Sequence, residues 1–176
     1  MASNETWNKL EFFRPDSAID KWGDPNEIDD EHVLRLDDFR RYINCPVFVT
    51  AGVKSSGHSK SSWHYGRKDA QGRWMHKPCA TDIIMPEYKK GPIDLILDAT
   101  RFGFTGIGYY VHWKFADKVV GGLHVDSRPL TWDNDFTLNY SNSRWLGILV
   151  DGVQKYIPLT YDNIIKYTQG VYSGQS

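Results

Sequence analysis

With 176 residues, the chain has the length of one domain and can bury a core without disulfide or metal staples. Its composition, 40% apolar and 24% charged, is that of a soluble globular protein, and a net charge of −1 with no basic tract argues against nucleic acid as a partner. Two cysteines, Cys45 and Cys79, make no disulfide framework and suit a reducing compartment. No window is apolar over the thickness of a bilayer, so no membrane segment is expected. The opening residues, MASNETWNKLEFF, lack a basic region followed by an apolar run, so synthesis in the cytoplasm without a secretory leader is expected.

In chain order, residues 1–30 read as a polar, irregular arm, punctuated by Pro15, Gly23 and Pro25 and anchored by Trp7, Phe12, Phe13 and Trp22. Asp29 or Asp30 caps a helix over 31–43, with Val33, Leu34, Leu36, Phe39, Tyr42 and Ile43 on one stripe. A buried strand follows at 47–50. Residues 51–79 are rich in glycine, serine and histidine and read as a long loop, of the kind that is functional or mobile. A second strand at 80–85 carries Asp82 among apolar neighbours. Gly91-Pro92 opens a helix over 93–102 with Leu95, Ile96, Ala99 and Phe102 inward. A glycine-rich strand at 105–110, a loop at 112–120 and a strand at 121–127 come next. After a polar, aromatic stretch at 132–143, two strands at 145–150 and 153–159 form a hairpin, because Asp151-Gly152 suits a type I′ turn. Thr160 caps a last short helix, and 173–176 fray. Helices and strands alternate too closely for regular crossover units. The expectation is therefore a single α+β domain over 1–176, with a mainly antiparallel sheet, flanking helices and a C-terminal hairpin. Within it, 1–30 is an arm, about 31–132 the motif-bearing core, and 133–176 an extension.

The stretch GGLHVDSRP, 121–129, is the one the chain is arranged around. Strand alternation points His124 and Asp126 to one face and Leu123 and Val125 to the other, so the apolar pair packs and the polar pair faces a cleft. Asp82 is costly to bury without a partner. His64, Asp82 and His124 together are two imidazoles and a carboxylate, the ligand count of a catalytic zinc site with its fourth position left to water. Zinc would lower the pKa of that water and polarise a carbonyl. Cys79, beside the Asp82 strand, is expected to be an inert buried thiol rather than a ligand. Of Tyr109 and Tyr110, one ring is expected in the core and one in the cleft.

Ser62-Trp63-His64-Tyr65-Gly66 and Ala80-Thr81-Asp82-Ile83 resemble the two halves of a Ser-x-His…Gly-x-Ala-x-Asp motif. Gly106-Ile107-Gly108-Tyr109-Tyr110 and Leu123-His124-Val125-Asp126, followed by Arg128 and Trp132, resemble the second motif region of the same family. These are the zinc D-alanyl-D-alanine carboxypeptidases, with related murein endopeptidases and phage endolysins. They share a fold with lysostaphin and the sonic hedgehog signalling domain. The resemblance covers about residues 35 to 132 and implies a zinc-centred cleft that hydrolyses an amide in a peptidoglycan peptide, and a phage-lysin-like protein acting on the bacterial wall or carried on the virion. The alternatives are a metal-bound module that binds without catalysis and a phage structural protein that keeps the fold.

The departures from the family pattern define what to look for. The family has its first His and Asp close together; here 67–79 intervenes and reads as an inserted loop at the cleft rim. His76, and after it His58, are therefore rivals to His64 as first ligand. Lys54 stands where relatives carry an arginine that binds substrate carboxylate, keeping the charge but not the fork. Many relatives place an acidic residue or histidine three before the last ligand, where this chain has Gly121. The general base is then Asp126, or Asp117 or His112 from the preceding loop. Asp126 is alternatively the orienter of His124. Arg128 and Trp132 are candidate substrate contacts, against the commoner roles of an ordinary salt bridge and a packing indole, the latter being favoured for Trp132.

Overall fold

The structure, a computed structural model, describes residues 4–54, 57–129 and 143–169. Among them the chain folds as α+β, with a six-stranded sheet and four helices. The arm opens with a short helix, α1 (Asn4–Lys9), where the composition suggested irregular chain. Helix α2 (Asp30–Ile43) starts at Asp29, whose carboxylate accepts from the His32 N–H, and ends at Asn44 in the left-handed region. Then come β1 (Phe48–Ala51), β2 (Arg67–Lys68), β3 (Trp74–His76), β4 (Ala80–Ile84), α3 (Pro92–Arg101), β5 (Gly106–Tyr110), β6 (Lys114–Phe115), β7 (Lys118–Val119), β8 (Gly122–Asp126), β9 (Arg144–Val150), β10 (Val153–Pro158) and α4 (Tyr161–Thr168). Thr160 caps α4 by accepting from Asn163. No helix among the described residues is long and apolar enough to cross a membrane.

The sheet order is β1-β4-β8-β5-β9-β10. It is mixed rather than wholly antiparallel, because β9 runs parallel to β5. The reason is positional. β8 occupies one edge of β5 and, running antiparallel to it, ends beside its start, so β9 begins at that end on the free edge and runs in the same sense as β5. β9 and β10 pair antiparallel across Asp151 and Gly152, both at positive φ, as a type I′ turn requires.

One face of the sheet packs on the helices. Ile83, Leu123, Val125, Ile107, Tyr109 and Leu146 form a continuous core with Val33, Leu36 and Phe39 of α2 and Leu95 and Ala99 of α3. The arm closes one end. Trp22 meets Trp7 and Phe13 edge-on at ring-centroid distances of 5.2 and 5.4 Å, while Lys21 N–H donates to the Val49 carbonyl along the outer edge of β1. That edge is thereby covered rather than left open to another chain.

The stripe on α2 differs from the apolar pattern. Leu34 and Tyr42 are exposed, and His32 and Asp37 take buried places. Asp37 accepts from the N–H groups of Glu11 and Phe12 at 3.1 and 2.9 Å, so the arm supplies the partners that let a carboxylate be buried. The segment 51–79 is not loop throughout: β2 and β3 make a small exposed hairpin with Met75 72% exposed at its edge. Likewise 112–120 contains the β6–β7 hairpin.

Candidate metal centre

Register builds the site. In the β4–β8 pairing Asp82 lies opposite His124 and Ala80 opposite Asp126. Alternation then puts Asp82, His124 and Asp126 on the sheet face away from α2, while Thr81, Ile83, Leu123 and Val125 face the helix. On the other side of β8, Gly108 lies opposite His124 and Gly106 opposite Asp126. A side chain at Gly106 would run into the Asp126 carboxylate, and one at Gly108 into the Trp145 indole. The glycine-rich reading of β5 thus has a physical cause: the strand is hollowed to make room for the site.

His64 arrives from the loop before β2. Its backbone is tied on both sides, with Lys54 N–H donating to the His64 carbonyl at 2.8 Å and Cys79 N–H to the Trp63 carbonyl at 3.0 Å. The ring is fully buried, and Nδ1 lies 2.7 Å from the Gly52 carbonyl. A carbonyl only accepts, so Nδ1 carries the proton and Nε2 presents a lone pair. His124 is fixed the same way. Its Nε2 lies 3.0 Å from Asp126 Oδ2, an ionised acceptor, so Nε2 is the donor on that side and Nδ1 faces the cluster. His124 Nδ1 and His64 Nε2 lie 3.2 Å apart, and both meet Asp82 Oδ1, at 3.3 Å from His64 and 2.9 Å from His124.

Three potential metal donors therefore converge on one point. Either a cation or an extra proton has to sit there. For the proton, burial opposes the charge on His124, but hydrogen bonds to Asp126 and Asp82 outweigh it and push His124 up to about 9. For the cation, a tetrahedral ion about 2.0–2.1 Å from each donor would set the donors about 3.3–3.4 Å apart, close to the spacing found. Burial lowers His64, and Asp82 is held well below the usual carboxylate range by hydrogen bonds to His124, His58 and His64 that overcome its burial. Both are thus in the states a metal requires.

A third imidazole joins them. His58 Nε2 lies 3.0 Å from Asp82 Oδ2, and its ring lies against that of His64 with centroids 3.8 Å apart. Donor atoms of His58, His64 and Asp82 lie within 4.8 Å of one another, so this cluster could hold a metal ion. Of the three histidines weighed as first ligand, His64 and His58 are at the cluster. His76 is not: it stacks on Trp63 and its Nδ1 bonds the Lys77 carbonyl.

Asp126 is completely buried. Arg128 grips both of its oxygens through Nε, at 2.8 and 2.9 Å, and adds a contact from its terminal nitrogen. Hydrogen bonds from His124 and Arg128 outweigh burial and hold Asp126 far below the ordinary carboxylate range. Such a group is a poor proton acceptor and a good orienter. Asp117 is exposed in the β6–β7 turn, and His112 bonds Gln154 at 3.2 Å; among the described residues neither has a hydrogen bond to the cluster. The Lys54 ammonium is paired with Glu27 rather than turned to the site. Cys79 is buried and its thiol is pushed up to about 12 by that burial, which leaves it inert. Trp132 lies outside the described residues.

A cleft of about 600 Å³ opens over the cluster, lined by His58, His124, Trp63, Tyr110, Trp145, Arg128 and neighbours. Tyr110 stacks on Trp113 with centroids 4.1 Å apart, while Tyr109 is buried in the core. The Arg128 guanidinium lies over Trp63 and Trp145, 5.5 and 6.0 Å from their ring centroids. The place of His58 beside Asp82 depends on a distance across the fold and has no signature in local spacing, whereas Arg128 reaches Asp126 from two residues along the chain. Comparison of the chain with protein-family models, with curated proteins and with solved structures finds no match.

Proposed function

We propose that this protein is a zinc-dependent peptidase acting on peptidoglycan peptides, with His64 Nε2, Asp82 Oδ1 and His124 Nδ1 as the metal donors. The observation that carries the reading is the meeting of two imidazole nitrogens and a carboxylate oxygen at metal-site spacing beneath an open cleft. Two imidazoles and a carboxylate leave the fourth position of a catalytic zinc site. Such an ion supplies Lewis acidity toward an amide carbonyl and a water. The chain's own residues do the rest. Asp126 fixes the tautomer and direction of His124, and Arg128 fixes Asp126. Arg128 also presents cationic surface between two indoles, suited to a carboxylate of the peptide stem. The resemblance of Ser62–Gly66, Ala80–Ile83 and Leu123–Asp126 to the murein carboxypeptidase and endopeptidase family supplies the substrate class, and a phage-lysin setting at the bacterial wall.

Incubating purified wall peptides with zinc-loaded protein tests this. New amine and carboxyl ends are expected, lost on chelation and regained with zinc. Absence of turnover by folded, zinc-loaded protein sinks the enzyme and favours a second reading, a metal-bound binding module. Gly121 is the observation behind that second reading. It stands where peptidase relatives carry an acidic residue or histidine, it has φ of 69°, and a side chain there would run into the Tyr109 hydroxyl.

A further inference from the structure

We infer that His58 is a positioning residue whose Nε2–H holds the outer oxygen of Asp82, so that Asp82 offers the metal Oδ1 alone. This rests on the metal reading above. Asp82 sits buried in β4, with Oδ1 committed to His64 and His124. Its other oxygen is bonded by His58 Nε2 at 3.0 Å, the partner that spares a buried charge from standing half-satisfied. An ionised carboxylate only accepts, so the proton of His58 is on Nε2.

The far nitrogen decides between holding Asp82 and binding the metal. His58 Nδ1 is buried and has no hydrogen-bond partner among the described residues. For Nε2 to bind a metal, the proton would have to move to Nδ1, leaving an N–H buried without an acceptor. Metal-ligating histidines instead donate their second ring N–H to an acceptor, as His64 does to Gly52 and His124 to Asp126. His58 lacks that support and has the geometry of the outer group, which hydrogen-bonds a ligating carboxylate. Its ring lies against His64, and its side chain is 23% exposed at the cleft wall, so it keeps Asp82 turned while leaving the cleft side of the cluster to water and substrate.

Two measurements on the full chain test this. In competition with a chromophoric chelator, His58→Ala should bind zinc about 10- to 100-fold more weakly. His58→Gln places an amide N–H where Nε2 lies and should recover most of that loss. His58→Asn, whose donor reaches only as far as Nδ1, should not. Imidazole ¹⁵N NMR of the zinc-loaded wild type should show His64 Nε2 and His124 Nδ1 at metal-bound shifts and His58 Nε2 still protonated. A metal-bound shift at His58 Nε2 would make it a ligand and overturn the inference while leaving the metal reading intact. Unchanged zinc affinity in His58→Ala would also overturn it. If none of the three imidazoles moves, the metal reading itself fails and takes this inference with it.

Discussion

Asp126 shows what a single side chain's surroundings decide. Alternation along β8 places it beside His124, which leaves open whether it takes a proton or orients its neighbour. Its partners make the choice: two oxygens held by Arg128, one of them also by His124, and no exposed surface. Asp126→Asn should therefore weaken zinc binding by about 10- to 100-fold, and activity on wall peptides should return when zinc is raised to saturation. Activity still down by about two to four orders of magnitude at saturating zinc would instead make Asp126 the base. The clustering of His64, Asp82 and His124 was legible because each stands in a short segment, Ser62–Gly66, Ala80–Ile83 or Leu123–Asp126, that resembles part of a metal-site motif. His58 was legible only as a weaker rival for His64, since nothing in a Gly-His-Ser context says that its ring comes to rest on Asp82.

At the scale of elements, the stretch 67–79 reads as an insertion, and the structure gives it a form that composition hides. β2 and β3 pair, Lys68 sits over the Trp74 ring at 4.2 Å, and Asp69 and Arg73 close the turn with an exposed ion pair. Those contacts lie at the surface and are worth little individually. Replacing residues 68–75 with a short turn, while keeping His76 against Trp63, should shift the melting temperature by only a few degrees. A collapse of stability in a thermal scan would show that Trp74 carries core packing. The boundaries of α2, β4 and α3 and the start of α4 follow from caps and apolar runs that act within a few residues, so they were legible to within a residue or two. The stripe of α2 was not. Hydrophobicity ranks Leu34 and Tyr42 above His32 and Asp37, and only the arm and the sheet, distant in sequence, make the polar pair buriable.

For the whole molecule, the α+β class follows from the spacing of elements, whereas the parallel pairing of β5 with β9 depends on which sheet edges earlier strands leave free. How the helical layer is fastened to the sheet also has a consequence for acid stability. His32, on α2, is fully buried between the layers, with Nδ1 2.9 Å from Ser127 Oγ and Nε2 3.1 Å from Thr81 Oγ1, one residue beyond Asp126 and one before Asp82. Burial lowers its pKa from 6.5 to about 3, with Arg35, His124 and His64 adding repulsion against the attraction of Asp126. The folded protein thus keeps His32 neutral where the unfolded chain protonates it. Between those two values the unfolded state binds more protons, so stability is fully present above about pH 6.5 and falls as pH drops toward 3, by up to about 1.4 kcal/mol per pH unit. His32→Gln removes this titration but leaves those of His64, Asp82 and Asp126 in place. Urea unfolding of both proteins from pH 6.5 to 4.5, with chelator present, should show the wild type losing stability more steeply by up to that slope. Parallel curves would mean that His32 is already charged in the fold, and that the contact between α2 and the strands bearing the site is wetter than its burial indicates.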